Sequence, residues 1–405
     1  MRLLIQKLGP GLIFAGAAIG VSHLVQSTKA GATFGTGLLW AMFLVNLFKY
    51  PTFQFGTRYA AITNESLLQG YQKIGKWVLP LYVLLNLATM FTIQTAVTIV
   101  TAGIAGSLFG FEIDIKTWSV IILVISLVIL LLGKYAFFDK LIKVIVICLS
   151  ISTIIAVGFA FGNNEKTLSW IQKFPIEATE ITFLIAFMGW MPAPLDISVW
   201  QSLWTQEKRK ITDDFNVKSA LFDFNVGYIG TFLVGVCFLM MGALIMYNSG
   251  TEFSESGVKF AGQFLGMYTE TLGSFAYVFI GIAAFTCMFS TTLTTLDASP
   301  RAMTAALDLL NVKINKGYLI WVLILGIGTA YILFFQISEM GTLVKFATII
   351  SFLTAPFYAI LNHLLMFGKY TSAEAKPNLG TKMWSIAGII FLIGFGIWFV
   401  LNFRF

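Results

Sequence analysis

Charged residues are scarce in this chain. Asp, Glu, Lys and Arg make up 11% of its 405 residues, whereas soluble domains carry roughly 25%. Mean hydropathy is +0.84, and 58% of the residues are hydrophobic. Because a charged side chain is costly at the centre of a bilayer, this deficit is typical of chains buried in lipid. The composition excludes a soluble domain and predicts an integral membrane protein whose main partner is the lipid bilayer.

Residues that carry out chemistry are equally rare. The chain has 2 histidines, His23 and His363, which are far apart, and no HExxH motif. Its 3 cysteines lie in separate apolar stretches without CxxC spacing. Intramembrane proteases need a Ser/His, paired-Asp or His/Glu constellation. The sequence therefore argues against an enzyme, and we expect no cofactor. The sequence contains no repeated filter motif, so nothing in it favours a channel.

Long apolar runs dominate the chain. A membrane-spanning helix needs about 20 apolar residues, and about eleven stretches meet this condition. No polar loop is long enough for a soluble domain, so residues 1–405 are predicted to form one transmembrane domain. The predicted spans are 12–28, 37–61, 77–109, 117–133, 136–161, 181–205, 216–247, 273–309, 317–336, 342–367 and 383–403.

The loops between these stretches alternate in charge. Loops on one side carry basic residues such as Arg58, Lys208 and Arg301, whereas the opposite side is acid-leaning, with Asp114 and Glu270. Cytoplasmic loops are enriched in Lys and Arg, so this pattern predicts a cytoplasmic N-terminus, in a bacterial inner membrane. The net charge of +7 follows from this topology and does not indicate nucleic-acid binding.

Two of the apolar stretches contain residues that interrupt helices. Gly16, Gly20 and Ser22 weaken the middle of the first stretch, and Pro192 and Pro194 remove two backbone donors from the sixth. Backbone without hydrogen bonds is tolerated in a bilayer only inside protein or beside a cavity. A pair of interrupted helices in matching positions indicates the central site of a transporter. The alternative is two unrelated kinks.

Several motifs resemble the NRAMP family of metal-ion transporters. They are Gly9-Pro10-Gly11-Leu12, Lys29-Ala30-Gly31-Ala32-Thr33-Phe34-Gly35, Leu38-Leu39-Trp40, the set Asn46, Arg58, Thr63 and Leu67, and Ser290-Thr291-Thr292-Leu293-Thr294. The resemblance implies an all-α LeuT-type fold with about 11 helices, two inverted five-helix repeats, and broken helices one and six. Repeat one would cover about 9–162, repeat two about 178–367, and an extra helix about 383–403.

The chain departs from the family where metal binds. NRAMP proteins carry Asp-Pro-Gly-Asn at the first break, and these positions here are Gly20-Val21-Ser22-His23. The Met-Pro-His motif of helix six aligns with either Met191-Pro192 or Ala193-Pro194, and its histidine is missing in both alignments. Residues 77–111 lack the acidic residues that serve proton movement in the family. The resemblance thus implies the fold, with an altered substrate site.

The altered site favours a small anion. Without the family's carboxylate, the positive end of the second half-helix is not offset, and Ser22 and His23 add donors. Bicarbonate or a short carboxylate fits such a site. The candidate substrate-binding residues are Gly20, Val21, Ser22, His23, Met191, Ala193, Pro194 and Asp196.

Other readings of these residues stay open. His23 could instead be a packed, neutral histidine. Asp196 could pair with His23, bind a coupling cation, or face the cytoplasmic vestibule. A divalent metal (Mn, Fe or Mg) held by His23, Met191 and Asp196 is the alternative substrate, and a sensor that binds without transport is a further alternative.

Coupling requires a second site. In LeuT-type folds that use sodium, hydroxyls of helix eight and carbonyls of helix one hold the ion, and Ser290, Thr291 and Thr292 match that part of helix eight. These hydroxyls could equally join helices, and coupling could use H⁺ instead of Na⁺. Lys49 is predicted to be structural, and Asp223 to be solvated or to cap a helix. A monomer or weak oligomer is expected.

Overall fold

The fold consists of helices. The computed structural model describes residues 9–111, 113–132, 135–163, 168–210, 215–250, 253–254, 256–336 and 340–402, without the side chains of 135–146, 163 and 336. This part of the chain holds 15 helices and no strand. They are α1 (Pro10–Ala18), α2 (Ser22–Phe34), α3 (Leu39–Thr63), α4 (Leu67–Ile74), α5 (Val78–Phe109), α6 (Ile115–Leu131), α7 (Tyr135–Asn163), α8 (Ala178–Trp190), α9 (Ile197–Lys210), α10 (Val217–Met241), α11 (Gly257–Leu272), α12 (Ala276–Leu309), α13 (Gly317–Tyr331), α14 (Met340–Phe367) and α15 (Leu379–Asn402).

The predicted apolar stretches correspond to these helices. Within the described residues, 6 helices are long and apolar enough to cross a membrane, or up to 7 if the bent pair α1 and α2 is one span. The shorter apolar helices α6 and α8, and α7, fall on three further predicted stretches. Positions 133 and 403, at the ends of two predicted stretches, lie outside the described residues. The all-helical membrane fold is confirmed.

The first span is broken, as predicted. Pro10 lies in the first turn of α1, where its fixed φ and missing N–H suit a helix start. Asp223 of α10 caps this end, because its carboxylate accepts the N–H groups of Gly9 at 2.9 Å and Gly11 at 2.8 Å. The helix ends at Ala18, and α2 starts at Ser22 with π-helical turns, at an angle of 47° to α1.

The sixth span is broken as well. Helix α8 ends at Trp190 and α9 begins at Ile197. Pro192 and Pro194 lie between them, and neither can donate the backbone hydrogen bond that a continuous helix requires. The two halves of this span therefore end inside the protein, and their terminal carbonyl and N–H groups need other partners.

Helices α5 and α12 pack against each other through polar side chains. Gln94 of α5 accepts a hydrogen bond from the Thr295 hydroxyl at 2.6 Å and donates to the Thr292 carbonyl at 3.2 Å. The hydroxyls of Thr101 and Thr292 lie 2.8 Å apart. Each of these polar groups is buried and has a partner, so this contact joins the two helices without charge.

Candidate functional site

The two breaks meet around a closed cavity. Its volume is about 20 Å³. Side chains from α1, α2, α5, α8, α9 and α12 surround it, so it lies at the centre of the helical bundle. The lining residues are Ala17, Ala18, Val21, Ser22, Ile93, Val97, Trp190, Ala193, Pro194, Ile197, Trp200, Thr291 and Thr295. Four predicted substrate-binding residues, Val21, Ser22, Ala193 and Pro194, line it, together with the predicted coupling residue Thr291.

Ser22 links the two broken spans. Its Oγ lies 2.7 Å from the Ala18 carbonyl oxygen and 3.4 Å from the Pro192 carbonyl oxygen. Ser22 also starts α2, where the helix dipole is positive, and the N–H groups of His23 and Leu24 in this first turn bond the Gly20 carbonyl. The cavity therefore receives the positive end of α2.

His23 points away from this cavity. It is fully buried, with Nε2 2.9 Å from the Thr231 carbonyl oxygen and Nδ1 2.7 Å from Ser22 Oγ. A carbonyl only accepts hydrogen bonds, so Nε2 carries a proton. Both ring nitrogens are thus engaged by the protein, which matches the packed arrangement left open above.

Met191 lies beside His23. A Cβ atom on Gly235 of α10 would be 3.4 Å from His23 Nε2 and 3.6 Å from Met191 Sδ. Met191 is buried and does not line the cavity. The structure therefore places these two predicted ligands against α10 and outside the cavity lining, although His23 still contacts Ser22. Within the described residues, no group of three His, Cys, Asp or Glu side chains lies together.

Asp196 lies just before α9 and outside the cavity lining. It is 3% exposed, and its Oδ1 has no hydrogen-bond partner among the described residues. The carboxylate interacts electrostatically with Tyr82, Tyr358 and Lys49. The hydroxyls of Tyr82 and Tyr358 also lack partners in the described part of the chain. Buried polar groups normally have partners, so this layer requires water or a solute.

Lys49 enters the break of the sixth span from α3. Its Nζ lies 2.8 Å from the Met188 carbonyl oxygen, 2.7 Å from that of Gly189 and 3.3 Å from that of Ala193. The side chain is fully buried. The ammonium group thereby binds carbonyls that the end of α8 leaves without intrahelical donors. Lys49 was predicted to be structural, and its pairing with this break was missed.

Gly20 is needed for a close helix contact. A Cβ atom at this position would lie 2.8 Å from Thr291 Oγ1 and 3.0 Å from Thr291 Cγ2. The side chain of Thr291 therefore occupies the direction in which a larger residue at position 20 would project. This contact brings α12 against the first break.

The predicted coupling residues do not share one environment. Thr291 lies against the first span, with its Oγ1 3.3 Å from the Gly16 carbonyl oxygen. Thr292 instead faces α5, and Ser290 is buried. The Cys287 thiol donates to the Ile19 carbonyl oxygen at 2.8 Å. Thr291 and Cys287 thus reach the carbonyls at the end of α1.

A second cavity opens at the far end of α2. It has a volume of about 380 Å³. Gly9, at the start of the first span, lies beside Lys208, so this cavity is on the opposite side from the basic end of α9. We call it the outer vestibule, after the orientation that the loop charges predict. It is lined by Val25, Gln26, Lys29, Thr179, Phe183, Ala186, Gly341, Thr342, Val344 and Lys345.

The charged residues in the described lining of the outer vestibule have one sign. Lys29 and Lys345 are the charged residues in its described lining, which contains no Asp or Glu. Val25 and Gln26 lie one turn beyond Ser22, and Ala186 lies one turn before Trp190. The vestibule therefore leads along α2 and α8 towards the closed cavity.

Sequence reasoning found the breaks but missed most of the cavity wall. Several lining residues were not predicted as site residues, among them Trp190, Trp200, Ile93, Val97 and Thr295. Apolar side chains in apolar helices carry no signal of this kind, because cavity and lipid contacts look alike in sequence. Trp200 is the exception, because a tryptophan shortly after the second break is a signal from which the sequence could have predicted it as a lining residue.

Two half-membrane helix pairs around a closed central cavity define an α-helical membrane transporter of the LeuT type. Solved structures share this fold. The manganese transporter of Eremococcus coleocola matches with a TM-score of 0.69 and 15% identity, over 99% of this chain and 95% of that one. The transporter MhsT in complex with L-phenylalanine matches with a TM-score of 0.65 and 13% identity, over 97% and 98%.

Comparison of the sequence with known families establishes the family of this chain. The profile of the Nramp family, natural resistance-associated macrophage protein-like, matches residues 11–402. An uncharacterised protein of Pasteurella multocida (strain Pm70) is 35% identical over 401 residues, which are 97% of this chain and 91% of that protein. The chain belongs to the Nramp family, and it is a transporter rather than an enzyme.

Proposed function

We propose that this protein carries a small anion, with bicarbonate as the best candidate, by alternating access. The observation that carries this proposal is the positive charge along the outer vestibule, the route by which a solute would reach the cavity. Lys29 and Lys345 line the outer vestibule, and its described lining holds no acidic residue. Lys345 in this lining raises the local concentration of an anion near the vestibule.

The closed cavity supports the same proposal. Its described lining contains no carboxylate, imidazole or thioether, whereas a divalent cation needs such ligands to replace its water. Ser22 presents the positive end of α2 to the cavity. Thr291 takes the space that an acidic side chain at position 20 would use. The volume of about 20 Å³ is room for about one water molecule, so bicarbonate requires the cavity to widen when it binds.

Transport requires that the two ends of the cavity open in turn. We propose that the bundle of α1, α2, α8 and α9 rocks against α5, α6, α12 and α13. Trp200 lines the cavity and lies one turn after Asp196 in the chain, on α9, so we propose that its movement opens the route towards the basic end of α9. That end is proposed to face the bacterial cytoplasm, together with the N-terminus.

Sodium is the proposed coupling ion. Carbonyl oxygens of Gly16 and Ile19, with the hydroxyl of Thr291, would supply oxygen ligands for a hard cation. Binding there would displace the contacts that Thr291 and Cys287 make with α1. Comparing uptake with and without an inward sodium gradient tests this step, and an equal rate under both conditions would contradict it.

Isotope flux into proteoliposomes tests the substrate. We expect saturable uptake of [¹⁴C]bicarbonate above that of protein-free liposomes. The double variant K29Q/K345Q should raise KM several-fold at low ionic strength and leave kcat unchanged, because it removes attraction and not binding. The difference should vanish at high salt, where the Debye length is short. K313Q, in the loop between α12 and α13, is the matched control.

A divalent metal is the second candidate substrate, favoured by membership of the Nramp family. His23 and Met191 lie close together beside Gly235 and could form part of a remodelled site after a rearrangement. Robust uptake of Mn²⁺ or Mg²⁺ without anion uptake would establish this candidate and end the first. Specific binding of bicarbonate without any flux would identify a sensor instead.

A further inference from the structure

The ammonium group of Lys49 is saturated by carbonyl oxygens. Three of them, from Met188, Gly189 and Ala193, lie 2.7–3.3 Å from Nζ. An ammonium group has three N–H donors and no acceptor, so these contacts use its full capacity. A neutral amine would turn its lone pair towards one of the carbonyl oxygens. The geometry therefore fits the charged form.

These carbonyls form a cation site of a known type. Met188 and Gly189 belong to the last turn of α8, where the helix dipole is negative, and Ala193 belongs to the unwound segment. In transporters with broken helices, unwound carbonyls and half-helix C-terminal ends coordinate the coupling cation. Lys49 thus places a positive charge where such folds can place a free ion.

The opposite charge lies across the same break. Asp196 directly precedes Ile197, the first residue of α9, where the dipole is positive. Lys49 and Asp196 interact electrostatically. Each end of the interrupted span therefore has beside it an ionisable side chain whose charged form complements its dipole.

We propose that Lys49 is a tethered cation, which permanently fills a cation site at the end of α8 and has Asp196 as its counter-ion. The sixth span then moves between states without taking up a free ion at this place, and coupling is confined to other sites. Removing the side chain should expose the carbonyl site to small cations from solution. This inference depends on the break and not on the identity of the substrate.

Thermal unfolding in detergent tests the proposal without a transport assay. Lys49→Ala vacates the site and the channel of the lysine stem. We expect its melting temperature to rise by several degrees, saturably, with methylammonium chloride and not with choline chloride at equal ionic strength. Wild type should respond equally to both salts. Lys49→Met removes the charge but fills the stem channel, so it should respond much less than Lys49→Ala.

Asn46→Ala is the matched control, because Asn46 is buried on the same helix and, among the described residues, its side chain bonds only the Met42 carbonyl. It should be destabilised without any selective response to methylammonium. An equal response of Asn46→Ala and Lys49→Ala would overturn the proposal. So would a Lys49→Ala protein that keeps the wild-type melting temperature, or one that aggregates in methylammonium and choline alike.

Discussion

Nε2 of His23 lies 2.9 Å from the carbonyl oxygen of Thr231, and this bond ties the start of α2 to the middle of α10. Nδ1 contacts Ser22 Oγ, which in turn contacts Ala18. His23 therefore acts on the cavity through Ser22. It positions the hydroxyl that links the two broken spans and does not itself line the cavity.

His23→Ala should lower both stability and transport. The change leaves a buried acceptor and a void, and a buried group without its partner costs about 1–3 kcal/mol. We expect a lower melting temperature and at least a tenfold loss of bicarbonate uptake. His363→Ala is the control, because His363 bonds Ser385 between α14 and α15. Unchanged uptake in His23→Ala would remove the histidine from the mechanism.

Gly20 and Thr291 should show strong energetic coupling. Gly20→Ala places a Cβ atom 2.8 Å from Thr291 Oγ1, which should separate α12 from the first break and reduce uptake. Thr291→Ala removes the two nearest atoms, so the double variant should recover part of the loss. Coupling energies of contacting residues reach about 0.5–3 kcal/mol. A double variant that performs as the sum of the two single variants would contradict this contact.

Trp200 should set the size of the transported solute. It is 1% exposed and lines the cavity, so Trp200→Ala should admit anions larger than bicarbonate, such as acetate or lactate. Inhibition of bicarbonate uptake by a series of carboxylates measures this change. Trp204→Ala is the matched control, because Trp204 lies one turn along α9, with its ring 6.3 Å from that of Trp200. The same size limit in both variants would place the cavity wall elsewhere.

Asp223 should stabilise the start of the first span. Its carboxylate accepts the N–H groups of Gly9 and Gly11, and loss of a helix N-cap typically costs about 0.5–2 kcal/mol. Asp223→Ala should therefore lower the melting temperature, and Asp223→Asn should lower it less, since an amide oxygen can still accept. Asp308→Asn, at an exposed position near the end of α12, should change little. Equal losses in the two Asp223 variants would argue against capping.

The sequence by itself determined where the chain crosses the bilayer and where two spans break. Apolar runs, glycines and prolines act within a few residues, so their effects can be read locally. The breaks near Gly20 and at Pro192 and Pro194 were found in this way. The basic residues that predict orientation are likewise a property of single loops.

Only the tertiary structure decided which groups meet at those breaks. Lys49 was assigned a structural role from sequence, because nothing in α3 indicates that its side chain reaches the end of α8. His23 was predicted at the substrate, yet both its ring nitrogens bond other protein groups. In the sequence, Gly20 stands where the family has a metal ligand. The structure shows that a side chain at position 20 would collide with Thr291 of α12. Such contacts depend on how distant helices pack, and packing of apolar helices leaves no periodic trace in the sequence.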